Sequence, residues 1–378
     1  MLLNLKSIAQ RMLESANVKI NGPNPWDIQV LDERFYKRLF LAQTLGVGES
    51  YMDGWWSCDR LDELSFRIQR HLNQDRFLYV LLNFYQNIGH FFINKQTKLR
   101  SLAVAEQHYN LNNSLYHAML GETMAYTCGY WKQATDLSSA QLAKYDVICR
   151  KAQLKSGEKV LELGCGWGGF AKYAAENYGA TVDAVNIARE QIHYAQTLCR
   201  GLPIRLHTCD YRDVDFYNPH RIQYDKVISI GLCEHVGHKN YGRFLGLVRN
   251  QLKEDGLFLL HTIGKNVTTA VTDRWVQKYI FPGGMLPTLK LLSQASEKHF
   301  VIEDMHNFGA DYDKTLMAWH HNFERAWPNF NDQFDERFYR MWSYYLLGSA
   351  GAFRARTMQL WQLILSPKGK LNGYMSLR

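Results

Sequence analysis

An α/β fold, with a smaller and mainly helical domain ahead of a mainly parallel sheet, is what this sequence predicts. Three observations lead there. Residues 159–263 alternate short apolar runs with amphipathic stretches, the pattern of parallel strands joined by crossover helices. A glycine-rich loop spanning Gly164, Cys165, Gly166, Trp167, Gly168 and Gly169 follows the first of those runs directly. Residues 1–92, by contrast, read as helices broken by glycine-containing turns, among them the segment from Gly46 to Trp56.

Within the N-terminal part, Phe77, Leu81, Phe84, Tyr85, Ile88, Phe91 and Phe92 fall on one helical stripe that runs into Lys95, Lys98 and Arg100. Such a stripe either packs on the protein's own core or lies on an anionic bilayer with its basic end at the head groups. Residues 93–105 are the expected linker, and 106–378 the expected second domain. There the pattern predicts strands over 159–163, 181–187, 204–208, 225–230 and 257–262. Helices are expected up to about residue 178, over 189–200 and over about 241–252. Beyond His261 the chain reads as mostly helical and aromatic. A proline- and glycine-bearing loop at 281–287 is placed to shape a substrate pocket.

Composition narrows the class. The chain has 378 residues, 46% of them hydrophobic, which is enough to bury a large core and makes two domains the natural division. Lys and Arg outnumber Asp and Glu by 44 to 36, a formal +8 that favours acidic partners. Aromatic residues make up 13%, and amphipathic rings in that number suit membrane interfaces and apolar pockets better than a nucleic-acid groove. No nucleic-acid partner is expected. The seven cysteines form no CxxC pair or metal-ligand spacing, so neither a disulfide framework nor a metal site is expected. The opening MLLNLKSIAQRMLES lacks the features of a signal peptide, and no apolar run reaches the length of a spanning helix. A soluble, cytoplasmic protein is the expectation.

The glycine loop carries the first chemical reading. Glycines directly after an apolar strand let the backbone turn sharply and approach a ligand at the start of a helix, outside the carboxyl end of the sheet. Dinucleotide enzymes share that spacing. Here the spelling is ELGCGWGG, with Glu162 two positions before the first glycine, which points to S-adenosylmethionine and a Rossmann-like, class I methyltransferase domain. Asn186 ends the second strand where such enzymes often place an acid for the ribose hydroxyls; an amide can also donate and accept. The DYRD segment at 210–213, after the third strand, stands where such enzymes bracket the adenine, or is a solvated turn.

Several further segments resemble the cyclopropane-fatty-acyl-phospholipid synthases in their long, enterobacterial-type form. They are GESYMDGWW at 48–56, QHYNLNN at 107–113, AYTCGYW at 125–131, EHVGHKNY at 234–241, LLHTIG at 259–264, YIFPGGMLP at 279–287, HNFGADYD at 306–313 and GAFRAR at 351–356, besides ELGCGWGG. The resemblance covers nearly the whole chain. It implies methyl transfer from S-adenosylmethionine to a cis double bond of a phospholipid acyl chain, then proton loss and ring closure, with bound bicarbonate taking the proton. It maps the bicarbonate pocket onto Cys128, Glu234, His261, Ile263 through its backbone, and Tyr312. Cofactor contacts map onto Tyr126, Thr127, Glu162, Gly164, Cys165, Gly166, Gly168, Asn186, Gln191, Tyr211 and Arg212. A homodimer and peripheral association with the inner face of the cytoplasmic membrane are also implied.

Elementary chemistry makes sense of that set. An alkene attacking a sulfonium methyl group develops a carbocation, which needs dry, anionic or π-rich surroundings. The adjacent charge acidifies the new methyl group, so a modest and well-placed base suffices. Taken singly, Glu234 and His235 read as a helix cap, His261 as a core histidine and Cys128 as a small buried hydrophobe. Polar groups gathered at strand ends beside a cofactor loop read as a site. The chain departs from the family at Asn110 and Asn112, and at Ser349, where many relatives carry cysteine. Two other readings stay open: a methyl or methylene branch as product, and a non-catalytic lipid- or nucleic-acid-binding protein.

Overall fold

A computed structural model describes residues 2–74, 113–268 and 273–378. The 77–92 stripe, the basic segment at 95–100, the 93–105 linker and residues 107–112 of the QHYNLNN motif lie outside the described residues. Contacts group the chain into two compact units.

The first unit comprises Met1–Ile93, Thr269–Pro282 and Tyr312–Met358. It holds helices α1 (Leu2–Glu14), α2 (Arg34–Met52) and α3 (Leu61–Gln74), with a two-residue antiparallel pair, β1 (Gln29–Val30) and β2 (Trp56–Ser57). Phe35, Tyr36, Tyr51, Trp56, Leu61 and Leu64 form its apolar centre. The expected boundary at 92 gave a contiguous N-terminal domain, whereas this unit also takes in segments from beyond the fifth sheet strand. Small residues explain that recruitment. A Cβ on Gly351, in the helix Glu336–Arg354, would lie 2.4 Å from Asp62 O and 2.6 Å from Phe66 N, so only glycine lets that helix approach α3 so closely. Ser65 Oγ donates to Gly348 O at 2.6 Å across the same seam. A Cβ on Gly48 would lie 2.3 Å from Trp275 Cδ1, and Glu49 accepts from Lys278 Nζ at 2.7 Å and from the Tyr279 hydroxyl at 2.9 Å. Arg354 pairs with both Asp62 and Asp313. The GESYMDGWW motif therefore meets the start of YIFPGGMLP inside this unit, and GAFRAR meets α3 there.

The second unit comprises Asn94–Thr268, Gly283–Asp311 and Gln359–Arg378. Its sheet contains β3 (Lys159–Leu163), β4 (Thr181–Asn186), β5 (Ile204–Thr208), β6 (Tyr224–Ile230), β7 (Leu252–Lys265), β8 (Val301–Asn307) and β9 (Met358–Ser366), in the order β5-β4-β3-β6-β7-β9-β8. The strands β3 to β7 pair in parallel, and β8 pairs antiparallel with β9. The five parallel strands fall where the alternation predicts them, and the α/β class and Rossmann-like order hold. Beyond His261 most of the regular structure is helical, as expected, but β8 and β9 are strands that reading did not include. Strand β9, MQLWQLILS, is an apolar run of a kind that periodicity alone does not separate from a buried helix. Strand β8 is a largely exposed edge whose acidic residues break the alternation.

Successive side chains point to opposite faces, so each strand feeds two cores. Leu161, Leu163, Val227 and Phe258 pack with Phe244 and Trp361 on one face; Val160, Val182, Ile228 and Leu257 pack with Ile148, Phe170 and Ala171 on the other. Burial on both faces is what a parallel sheet requires. Each such side chain adds about 1.5–3 kcal/mol, which fixes the strand ends where the polar residues gather. No described helix is long and apolar enough to cross a membrane.

Candidate active site

The loop after β3 has Gly164, Gly166 and Gly168 at φ +82°, +54° and +84°, a backbone region that disfavours side chains. The N–H groups of Gly164 and Cys165 donate to Val185 O at 2.8 and 3.1 Å, tying the loop to the end of β4. Asn186 Nδ2 donates to Gly166 O at 3.2 Å and to Gln191 Oε1 at 2.7 Å, so both residues brace the loop from the β4 side. A Cβ on Gly166 would meet nothing within 4 Å, which leaves the crest of the loop open for a ligand. After β5, the Arg212 guanidinium is held by Asp210 through two bonds of 2.6 Å, and the Tyr211 ring stands edge-on to Phe244 at 5.4 Å.

Segment 125–128 is pinned by the helix Leu137–Lys151. Gln141 Nε2 donates to Thr127 O at 2.8 Å, and Lys144 Nζ donates to Thr127 Oγ1 at 2.7 Å. Tyr126 stands edge-on to Tyr116 at 5.4 Å, and Tyr116 packs in turn on Trp167 of the loop. Cys128 is fully buried, its Sγ 3.2 Å from Gly129 O. Glu162 is buried, and burial pushes its carboxyl up to about 8 against the opposing charge of Lys144. Lys144 is itself pushed down to about 7 by burial.

At the ends of β6 and β7 a second polar group forms. Glu234, in the single turn Cys233–Val236, accepts the Ile263 N–H through Oε1 at 2.6 Å. Burial pushes its carboxyl up to about 7, against the pull of the Ile263 N–H. Its carbonyl accepts from Met285 N at 2.8 Å, which ties the expected pocket loop to this turn. His261 lies opposite Ile230 in the sheet and is buried, with Nδ1 3.2 Å from Gln362 Nε2. Burial, then Lys144 and Lys151, hold its pKa well below the usual histidine range. Tyr312 belongs to the first unit, where its ring stacks on Phe353 at 4.4 Å.

Buried polar atoms lacking a protein partner mark where a ligand belongs, because each costs about 1–3 kcal/mol if left so. Among the described residues, those of the second unit are Thr123 Oγ1, Gln141 Oε1, Glu162 Oε2, Ser229 Oγ, Glu234 Oε2 and His261 Nε2. Leu163 pairs with Ser229, and Ile230 with His261, so Glu162, Ser229 and His261 sit near the carboxyl ends of adjacent strands. That is the crevice where open α/β sheets bind ligands. Glu234 Oε2 and His261 Nε2 are unpartnered polar atoms near the ends of β6 and β7, and the raised pKa of Glu234 lets it carry or release a proton near neutrality.

Sequence reasoning missed Gln141, Lys144, Lys151 and Gln362. The first three share one face of a helix with Ile148, and two lysines on an otherwise apolar stripe are the signal that was available.

Residues 96–363 match the family described as mycolic acid cyclopropane synthetase. The chain is 47% identical over 370 residues to the cyclopropane-fatty-acyl-phospholipid synthase of Escherichia coli strain K12, spanning 98% of this chain and 95% of that one. It is 34% identical over 281 residues to a probable fatty acid methyltransferase of Pseudomonas putida, spanning 71% and 70%. Among solved structures, the mycolic acid cyclopropane synthase CmaA1 complexed with SAH and CTAB is similar at 26% identity and a TM-score of 0.65, over 70% of this chain and 97% of that one. With its glycine loop, sheet order and motifs in agreement, the chain belongs to the mycolic acid cyclopropane synthetase family.

Proposed function

We propose that this chain transfers a methylene unit from S-adenosylmethionine to the cis double bond of unsaturated acyl chains in membrane phospholipids, forming a cyclopropane ring. The observation that carries this reading is the glycine loop at the end of β3 with the unpartnered Glu234 Oε2 and His261 Nε2 at the ends of the neighbouring strands.

S-adenosylmethionine supplies the electrophilic methyl group when bound. The open crest at Gly166, with Gly164, Cys165 and Gly168, would hold it through backbone, and Glu162, held next to Lys144, would supply a carboxyl to it. Tyr126, Thr127, Asn186, Gln191, Tyr211 and Arg212 complete the enclosure and exclude water, without which the lipid cation would be quenched. Near the double bond, an ionised Glu234 carboxylate stabilises the developing positive charge.

Bicarbonate supplies the base for the departing proton when bound. Glu234 Oε2, His261 Nε2, Cys128 and the Ile263 backbone would hold it. Glu234 orients through Ile263 N–H and titrates near neutrality, so it can pass a proton outward.

Peripheral contact with the inner face of the cytoplasmic membrane and assembly as a homodimer are part of the same proposal. The +8 charge and the apolar 77–92 stripe with its basic end support the membrane contact. Incubation with methyl-labelled S-adenosylmethionine and cis-unsaturated anionic phospholipid vesicles tests the reading. Label in the acyl chains is expected, with co-sedimentation that weakens as salt rises; no label would overturn the function, and salt-insensitive absence of binding would overturn the membrane contact.

A further inference from the structure

We infer that Gln362 and Lys151 are positioning residues that hold His261 as a neutral imidazole with its proton on Nε2, so that His261 donates a hydrogen bond to the bound anion and does not take up the product proton. The anion itself rests on the proposed function; the tautomer does not. Burial pushes the Lys151 ammonium down to about 7, and in its ammonium form a lysine carries donors only. Lys151 Nζ, fully buried, lies 2.9 Å from Gln362 Oε1 and 2.8 Å from His306 Nδ1, so both atoms accept from it. The Gln362 oxygen is thereby fixed towards Lys151, and the amide NH2 at the other end faces His261 Nδ1 at 3.2 Å.

An imidazole nitrogen that receives an N–H must present its lone pair, so Nδ1 is the acceptor and the single ring proton of the neutral form sits on Nε2. Nε2 is the ring atom with no protein partner, in a side chain only 1% exposed. The ring is held edge-on to Phe308 at 5.8 Å, which keeps that N–H from swinging away. Gln362 lies on β9, the strand beside β7 in the sheet, so the orientation is set by the same backbone that sets the strand ends. Burial and the positive charges of Lys144 and Lys151 oppose the imidazolium. A histidine so placed is a poor base and a well-aimed donor. With the imidazole committed as a donor, Glu234, whose Oε2 is the other unpartnered atom, is the group left to accept a proton there.

The test is a long-range proton–nitrogen correlation spectrum of the full chain labelled with nitrogen-15 at histidine. The His261 signals are assigned by their loss in His261→Gln. The expected result is a neutral ring protonated at Nε2 in the wild-type protein. In Gln362→Glu a carboxylate oxygen faces Nδ1 in place of the amide, and the proton is expected to move to Nδ1. Turnover should then fall by at least about tenfold, as when a catalytic histidine is held in the wrong tautomer, while S-adenosylmethionine affinity stays unchanged. An Nδ1-protonated ring or an imidazolium in the wild type would overturn the inference, whether or not Gln362→Glu folds. A folded Gln362→Glu that kept the Nε2 proton and full turnover would do the same. A wild-type protein that transfers no methyl group yet shows the Nε2 proton removes the function reading and leaves the tautomer assignment standing.

Discussion

Glu234 Oε1 accepts the Ile263 N–H at 2.6 Å, while Glu234 Oε2, buried beside it, has no hydrogen-bond partner. One oxygen therefore fixes the carboxyl and the other is left for chemistry. Glu234→Gln keeps the first contact through its amide oxygen and replaces Oε2 by a group that neither carries charge nor accepts a proton. Turnover is expected to fall by about two orders of magnitude or more. Ser349, half-buried in the helix Glu336–Arg354, stands where many relatives carry cysteine, and Ser349→Ala should retain most activity. Equal losses in a steady-state assay would contradict both assignments.

The same carboxyl links stability to pH. Its folded-state pKa, about 7, lies above the ordinary carboxyl value of 4.5, so the stability it contributes is fully present below 4.5 and is lost as pH rises towards 7. Glu234→Gln does not titrate and escapes that loss. Its melting temperature relative to the wild type should rise between pH 4.5 and 7 and level off above, with a limiting gain of about 3 kcal/mol at most. Thermal melts across that range check it; a difference that is flat or falls with pH would contradict the burial of Glu234 as an unpaired acid.

Lys144 serves two groups at once, the Thr127 hydroxyl at 2.7 Å and the charge of Glu162. Lys144→Met keeps the length of the side chain and loses both roles, freeing Thr127 and leaving Glu162 without a counter-charge. Calorimetry should show S-adenosylmethionine binding weakened by about tenfold, roughly 1.4 kcal/mol. Unchanged affinity would show that the segment 125–128 is not held from this helix.

Two glycines three residues apart separate packing from helix propensity. A Cβ on Gly351 runs into the α3 backbone, whereas one on Gly348 meets nothing within 4 Å. Gly351→Ala should destabilise the protein by about 1–3 kcal/mol. Gly348→Ala should be neutral or stabilising by up to about 1 kcal/mol. Differential scanning calorimetry decides, and similar melting temperatures for the two variants would count against the close approach of the two helices.

The sequence made the parallel core legible because β3, β6 and β7 carry apolar runs beside the glycines at 164, 231 and 256. It did not reveal β8 and β9, which join the sheet from beyond a long helical stretch, and whose pairing is a matter of which distant segment fills the edge. Nor did local pattern show that Gly48, Gly351 and Trp275 belong to one unit, since close approach is a property of pairs and not of windows. At the proposed site, Glu234 and His261 stand out in the sequence through their motifs. Lys144, Lys151 and Gln362 do not, because a lysine on a helix or a glutamine in a strand is ordinarily a solvated residue, and only the fold shows these to be buried.

The central claim is ring formation on a phospholipid double bond. Its most direct test is magnetic-resonance analysis of acyl chains recovered after the protein has acted on cis-unsaturated phospholipid vesicles in the presence of S-adenosylmethionine. The expected spectrum gains the high-field resonances of cyclopropane ring protons while olefinic signals decline in step. A methylene or methyl branch in their place would contradict the claim, and unchanged olefinic signals would contradict the activity altogether.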